Sequence, residues 1–199
     1  TTDVTGKGAG GTTSEIESNQ FTVYGGVTAD KYYVEGMVGY AKNNSDASRT
    51  IDLGSLTRTA KADYDSNQYM LSVGGGMPIR VKGGSVFTPT AGLSYTHLNT
   101  DSYTETGASN LNLVVKSDHV AATVATLGAK FSTSVKEGRG TLTPSVRGSI
   151  SYDFSGEEAV ATSTFTGGGA SFKTTGADVE QFGSNLGVGI TFDDGRYSI

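Results

Sequence analysis

Residues 88–96 read TPTAGLSYT, and the alternation of small or polar residues with apolar ones seen there recurs along most of the chain. Successive side chains on a strand point to opposite faces, so a period of two predicts strands with one apolar face. Helical spacing occurs almost nowhere. The pattern predicts strands at 14–28, 31–48, 58–79, 84–103, 111–135, 140–155 and 171–193, with another beginning at 195. All exceed the usual strand length of about 5–6 residues. The chain is therefore expected to be all-β, an antiparallel meander of long strands. Two environments suit such strands. A soluble sandwich buries Phe87, Pro89, Ala91, Leu93 and Tyr95 against a second sheet, whereas a membrane barrel turns the same side chains to lipid.

The connections separate these alternatives. Ala29-Asp30-Lys31, the stretches 80–84 and 136–140, and Asp193-Asp194-Gly195 carry short hairpin signals. Between them lie longer polar stretches: SDASRTIDLGSLT (45–57), TETGASN (104–110) and GEEAVATSTFTGGGA (156–170). Short turns at one end and long loops at the other is the layout of an outer-membrane barrel, its short turns on the periplasmic side. Aromatic spacing gives a second test. On one face of KYYVEGMVGYA, Tyr32 and Tyr40 bracket Val34, Gly36 and Val38. Eight residues at about 3.3 Å span roughly 26 Å, and a tilt near 40° brings that height close to the apolar band of such barrels, about 25 Å or less. Phe87 and Tyr95 repeat the spacing, Phe182 and Phe192 bracket Leu186, Val188 and Ile190, and Tyr152 ends the apolar face that starts at Leu142. These positions are expected to form two aromatic girdles. Leu93, Val146 and Val188 are expected to face lipid, and Thr90, Arg147 and Asn185 the lumen.

Composition agrees. No run of about 18 apolar residues exists, so no transmembrane helix is predicted. A mean hydropathy of -0.25 does not exclude a barrel, since half of each spanning strand faces a polar lumen. With no cysteine, thiolate metal sites and cysteine nucleophiles are excluded. A net charge of -5 without a Lys/Arg cluster argues against a nucleic-acid partner.

The wording TPTAGLSYTHLNTDSYTETGASNLNLVV (88–115) resembles the C-terminal translocator domain of autotransporters, the type V secretion family. The segments DVTGKGAG (3–10), YYVEGMVGYAKNNSDASRTIDLG (32–54), TAKADYDSNQYMLSVGGG (59–76) and VATLGAKFS (124–132) resemble the same family in the same order. The resemblance implies a 12-stranded transmembrane β-barrel in the bacterial outer membrane, helping to carry an N-terminal passenger to the cell surface. Its implied partners are the lipid bilayer, the passenger and its linker helix in the lumen, and the outer-membrane barrel assembly machinery; it implies no cofactor. Residues 1–199 then form a single, partial translocator domain covering strands four to eleven of the twelve. The chain opens in the loop after the third strand and stops at DDGRYSI, without a last strand ending in an aromatic residue. Export by this segment alone is not expected.

Lys130 and Arg147 fall near one level of the lumen face. Like charges in a confined space need an acidic partner, either Glu35 at a similar depth or a carboxylate on the linker helix, unless water solvates each separately. His97, near Asp101 and Ser102, and His119, after Ser117 and Asp118, are the candidate bases of a membrane-embedded hydrolase, but neither accompanies a nucleophile elbow. Two dispersed histidines show no metal-ligand spacing. The GGG runs at 74–76 and 167–169 lack the Lys-Ser/Thr of a phosphate loop, and DDG at 193–195 reads as a turn. A surface adhesin acting through the long loops is the alternative to a translocator.

Overall fold

The computed structural model describes residues 2–6, 11–138, 140–193 and 195. Its strands are β1 (Thr2–Gly6), β2 (Thr12–Thr28), β3 (Tyr33–Asp52), β4 (Thr57–Gly76), β5 (Ile79–Arg80), β6 (Ser85–Thr100), β7 (Tyr103–Thr104), β8 (Leu113–Ser117), β9 (Val120–Thr133), β10 (Val135–Glu137), β11 (Gly140–Asp153), β12 (Val160–Phe165), β13 (Phe172–Thr175) and β14 (Phe182–Asp193). The long strands β2, β3, β4, β6, β9, β11 and β14 each pair antiparallel with the next. Together they make one meandering sheet that curls into half a barrel. β1 lies beside β2, β5 beside β6, and β10 beside β11. A second sheet has the order β13-β12-β8-β7.

Residues opposite each other in an antiparallel ladder share a face, so the register converts alternation into two surfaces. One carries the rows Phe21–Tyr40–Tyr69–His97, Val23–Val38–Leu71–Tyr95 and Phe87–Phe131–Val146–Val188. The other carries Gly26–Glu35–Gly74–Gly92–Thr126–Ser151–Gly183 and Thr88–Lys130–Arg147–Gly187. On the first face Val188 is 87% exposed and Leu186 79%, with Val38, Leu71, Leu93, Val146 and Ile150 also exposed. A soluble sandwich would bury these side chains. Here no large side chain is fully buried among the described residues, and the buried apolar residues are Ala41, Ala60, Ala62, Ala108 and Val115. A continuous apolar surface of this extent is one that meets hydrocarbon.

The strand ends differ from the sequence reading where residues are polar. The stretch 45–57 is not a loop: β3 continues to Asp52 and β4 begins at Thr57. Reversal occupies only 53–56, closed by the Leu53 N–H donating to the Leu56 carbonyl, with Gly54 at φ 81°. The single strand expected at 111–135 is two, because β8 joins the second sheet through β12 whereas β9 joins the main sheet. The chain changes sheets at Asp118-His119, where the Asp118 N–H donates to the Val160 carbonyl. The strand expected at 171–193 divides likewise into β13 and β14. The stretch 156–170 contains β12, and 104–110 begins at the end of β7. Tyr32 lies in the turn before β3, whose Ala29 N–H donates to the Tyr32 carbonyl. Thr2–Gly6, expected within a loop, forms β1 against Thr12–Ile16. Of the strand expected from 195, only Gly195 is among the described residues, at φ 81°.

Candidate functional site: a two-faced wall and its rim

The aromatic residues of the apolar face collect towards its two ends. At one end Tyr40 and Tyr69 pair with ring centres 5.3 Å apart, and Tyr152, opposite Phe182, meets Phe154 edge-on at 5.1 Å. Tyr95 lies one step inward, its ring 6.4 Å from that of His97. At the other end Phe87 faces Phe131, Phe192 faces Leu142, and Tyr32 lies in the turn before β3. The Phe192 ring occupies the space where a Cβ at Gly140 would stand, so that position admits only glycine while the ring is there.

The concave face is built from small residues and a few charges. Tyr24, Gly26, Glu35, Met37, Gly74 and Gly92 line a hollow of about 560 Å³. Thr90 and Asn185 lie on this face, and Leu93 on the opposite one. Lys130 and Arg147 stand directly opposite each other and are both exposed. Arg147 leans away from Lys130: its chain lies over Gly187 of β14, where a Cβ would come within 2.7 Å of its Nε. This relieves the repulsion between the two cations. Glu35 does not reach them. Its ladder row meets β9 at Thr126, three strands away and four residues short of Lys130, which is roughly 20 Å on an unrolled sheet. Among the described residues the ion pairs are instead Lys42–Asp65 and Arg49–Glu105.

Beyond the Tyr40 level, β3 and β4 continue for about twelve residues, raising a rim roughly 30 Å above the apolar band at a 40° tilt. The rim has the fold's buried centre. Glu105, 8% exposed, accepts from Arg49 Nε at 3.0 Å and again from its guanidinium, and from the Leu113 N–H at 2.8 Å. Arg49 also donates to the Leu111 carbonyl. A buried charge pair holds when its remaining donors and acceptors are satisfied, and here they are. Ala60, Ala62 and Ala108 are buried close by, and Tyr103 stacks on Tyr64 at 4.4 Å. Burial, with Tyr64 and Glu105 adding to it, raises the Tyr103 hydroxyl above its ordinary pKa. Nothing local in the sequence signals this centre, because Arg49 and Glu105 stand 56 residues apart in stretches that read as loops.

Asp46 and Asp63 sit opposite each other on the exposed side of the rim. The hydrogen bond to Asp63, then slight desolvation and the charges of Asp63, Glu15 and Glu17, raise the Asp46 carboxyl above its ordinary pKa. A raised folded-state pKa gives stability that is complete below the unfolded carboxyl value and is lost as pH rises through the folded one. Acidification into the carboxyl range should therefore slow proteolysis of the 45–63 hairpin. In Asp63→Asn, whose amide donates to Asp46 without a proton from solvent, that pH dependence should flatten; a profile identical to the parent's counts against the shared proton.

His97 and His119, read as possible bases, come together on the apolar face with ring centres 5.4 Å apart. His97 Nδ1 is shielded from solvent and has no hydrogen-bond partner among the described residues, so none of their carboxylates orients the ring from that nitrogen as a general base requires.

Comparison with known proteins accords with this geometry. Residues 1–196 match the autotransporter β-domain family. Outer membrane protein A of Rickettsia conorii is 28% identical over 188 residues, covering 91% of this chain and 9% of that protein. Outer membrane protein A of Rickettsia rickettsii is also 28% identical, with 91% and 8% covered. The chain thus spans less than a tenth of these relatives. The translocator domain of the autotransporter NalP from Neisseria meningitidis superposes with a TM-score of 0.55 at 18% identity, covering 96% of this chain and 72% of that one. With an apolar outer face, a polar concave face and the family match over nearly its whole length, the chain belongs to the autotransporter β-domain family, an outer-membrane translocator domain built as an antiparallel transmembrane β-barrel wall.

Proposed function

We propose that the concave face lines the conduit through which the N-terminal passenger of the same polypeptide reaches the cell surface, and in which its linker helix then rests. The observation that carries this reading is the face itself, where glycine, serine and threonine leave room for a chain and the charges stay exposed. Lys130 and Arg147, out of reach of Glu35, take a carboxylate of the linker as their partner. The lipid bilayer covers the opposite face, and the barrel assembly machinery inserts the wall. The domain carries no chemistry of its own; its contribution is a path and an anchor. Neighbouring residues test this in the full-length protein. A short crosslinker on Ser94→Cys should capture the linker, and one on Leu93→Cys should not; equal capture would sink the proposal.

In this orientation the rim is extracellular and the short turns are periplasmic. Cysteine labelling of intact cells is clean because the chain has no native cysteine. A membrane-impermeant maleimide should label Ser55→Cys, at the exposed tip between β3 and β4, and leave Lys31→Cys and Lys82→Cys untouched. The reverse pattern would invert the orientation. Ser163, in a stretch that reads as a loop, is 5% exposed within β12 and gives no information of this kind.

A further inference from the structure

We propose that His97 and His119 form a two-histidine site for a borderline transition-metal ion, Zn²⁺, Cu²⁺ or Ni²⁺, on the lipid-facing side of the wall beside the aromatic row of Tyr40 and Tyr69. The chain has only two histidines, 22 positions apart, and the fold brings them to one place. The register explains how. His97 pairs with Ala121 and Leu98 with Val120, so one further step sets His119 diagonally across from His97 on the same face. The change of sheets between β8 and β9 leaves His119 exposed at the aromatic end of the apolar face, beside the Tyr69–His97 row.

Distance and bonding both suit a metal. An ion held by imidazole lies about 2.0–2.1 Å from nitrogen and about 3.2 Å from the ring centre, so two rings at the tetrahedral angle stand about 5.2 Å apart. The observed separation is 5.4 Å, with the ring planes inclined by 37°. His97 Nδ1, shielded, is a polar atom that nothing among the described residues satisfies. Coordination of the ion by this nitrogen satisfies it. Neutral imidazole favours the borderline ions over Mg²⁺ or Ca²⁺, and two protein ligands leave positions for water or a headgroup oxygen. The site is independent of the conduit reading, since it lies on the opposite face.

Cu²⁺ is the probe, added to the full-length protein in detergent micelles and followed by electron paramagnetic resonance. One equivalent should bind with the hyperfine pattern of two equatorial nitrogens, and Zn²⁺ should displace it. His97→Gln and His119→Gln should each reduce affinity on the order of tenfold or more and leave a one-nitrogen spectrum. Heat-modifiable mobility on cold gels reports that each variant remains folded. A parent spectrum without the two-nitrogen pattern, or one that survives in both folded variants, overturns the proposal.

Discussion

Arginine at position 146 should weaken refolding into lipid by about 2–4 kcal/mol, whereas arginine at 145 should cost far less. Val146 stands in the outward row between Phe131 and Val188, both exposed like it. A guanidinium there must enter hydrocarbon or drag headgroups and water inward. Ser145, one residue away, points to the concave face opposite Ser132 and Gly189, where water receives the charge. The two variants add the same side chain at the same depth, so composition and length cancel and only facing differs. Refolding equilibria in liposomes measure it. Equal losses at the two positions would refute the assignment of faces.

A larger effect, all or none, is expected of closure. Among the described residues β2 has no partner from Glu17 to Thr28 on the side away from β3, and β14 has none on the side away from β11. Each unpaired backbone group in hydrocarbon costs several kcal/mol, and two open edges present rows of them. Eight-stranded barrels do exist, but their tilt and shear are set for that number, and this sheet curls through only half a turn. The 199-residue segment alone should therefore run as unfolded protein on cold gels. A version extended by strands that pair with both open edges should run fast and compact, and shift on boiling. A fast band from the segment alone would show that its edges meet.

The spanning part of this fold was legible because lipid leaves a simple code. Wherever a strand lies between hydrocarbon and lumen, as from Tyr33 to Tyr40 or from Leu142 to Tyr152, every second residue is apolar, and counting assigns the face. The same counting brought Lys130 and Arg147 together. Above the bilayer the code stops. Arg49, Thr50 and Ile51 read as loop, yet they pair in register with Ala60, Thr59 and Arg58, because ladder bonds do not require an apolar face when both sides meet water. The switch of Leu113–Ser117 into another sheet was hidden for a related reason. Its partner Val160–Phe165 lies in a stretch rich in Ser, Thr and Gly, and such pairing depends on long-range register rather than local pattern. Glu35 was misjudged because depth along one strand says little about distance around a curved wall.

A wall one residue thick also limits how this domain can change its length over evolutionary time. Inserting or deleting a single residue within β9 or β11 would exchange lipid-facing and water-facing side chains from that point to the next turn. Lengthening a spanning strand is therefore neutral only in steps of two, or where a bulge absorbs the odd residue. The reversal at Leu53–Leu56 is free of that arithmetic, because its side chains meet water whichever way they point. Homologous domains should thus differ in length at the crest of this hairpin while their spanning strands keep a constant parity, and foreign epitopes spliced at Gly54 or Ser55 should reach the surface without disturbing the wall beneath.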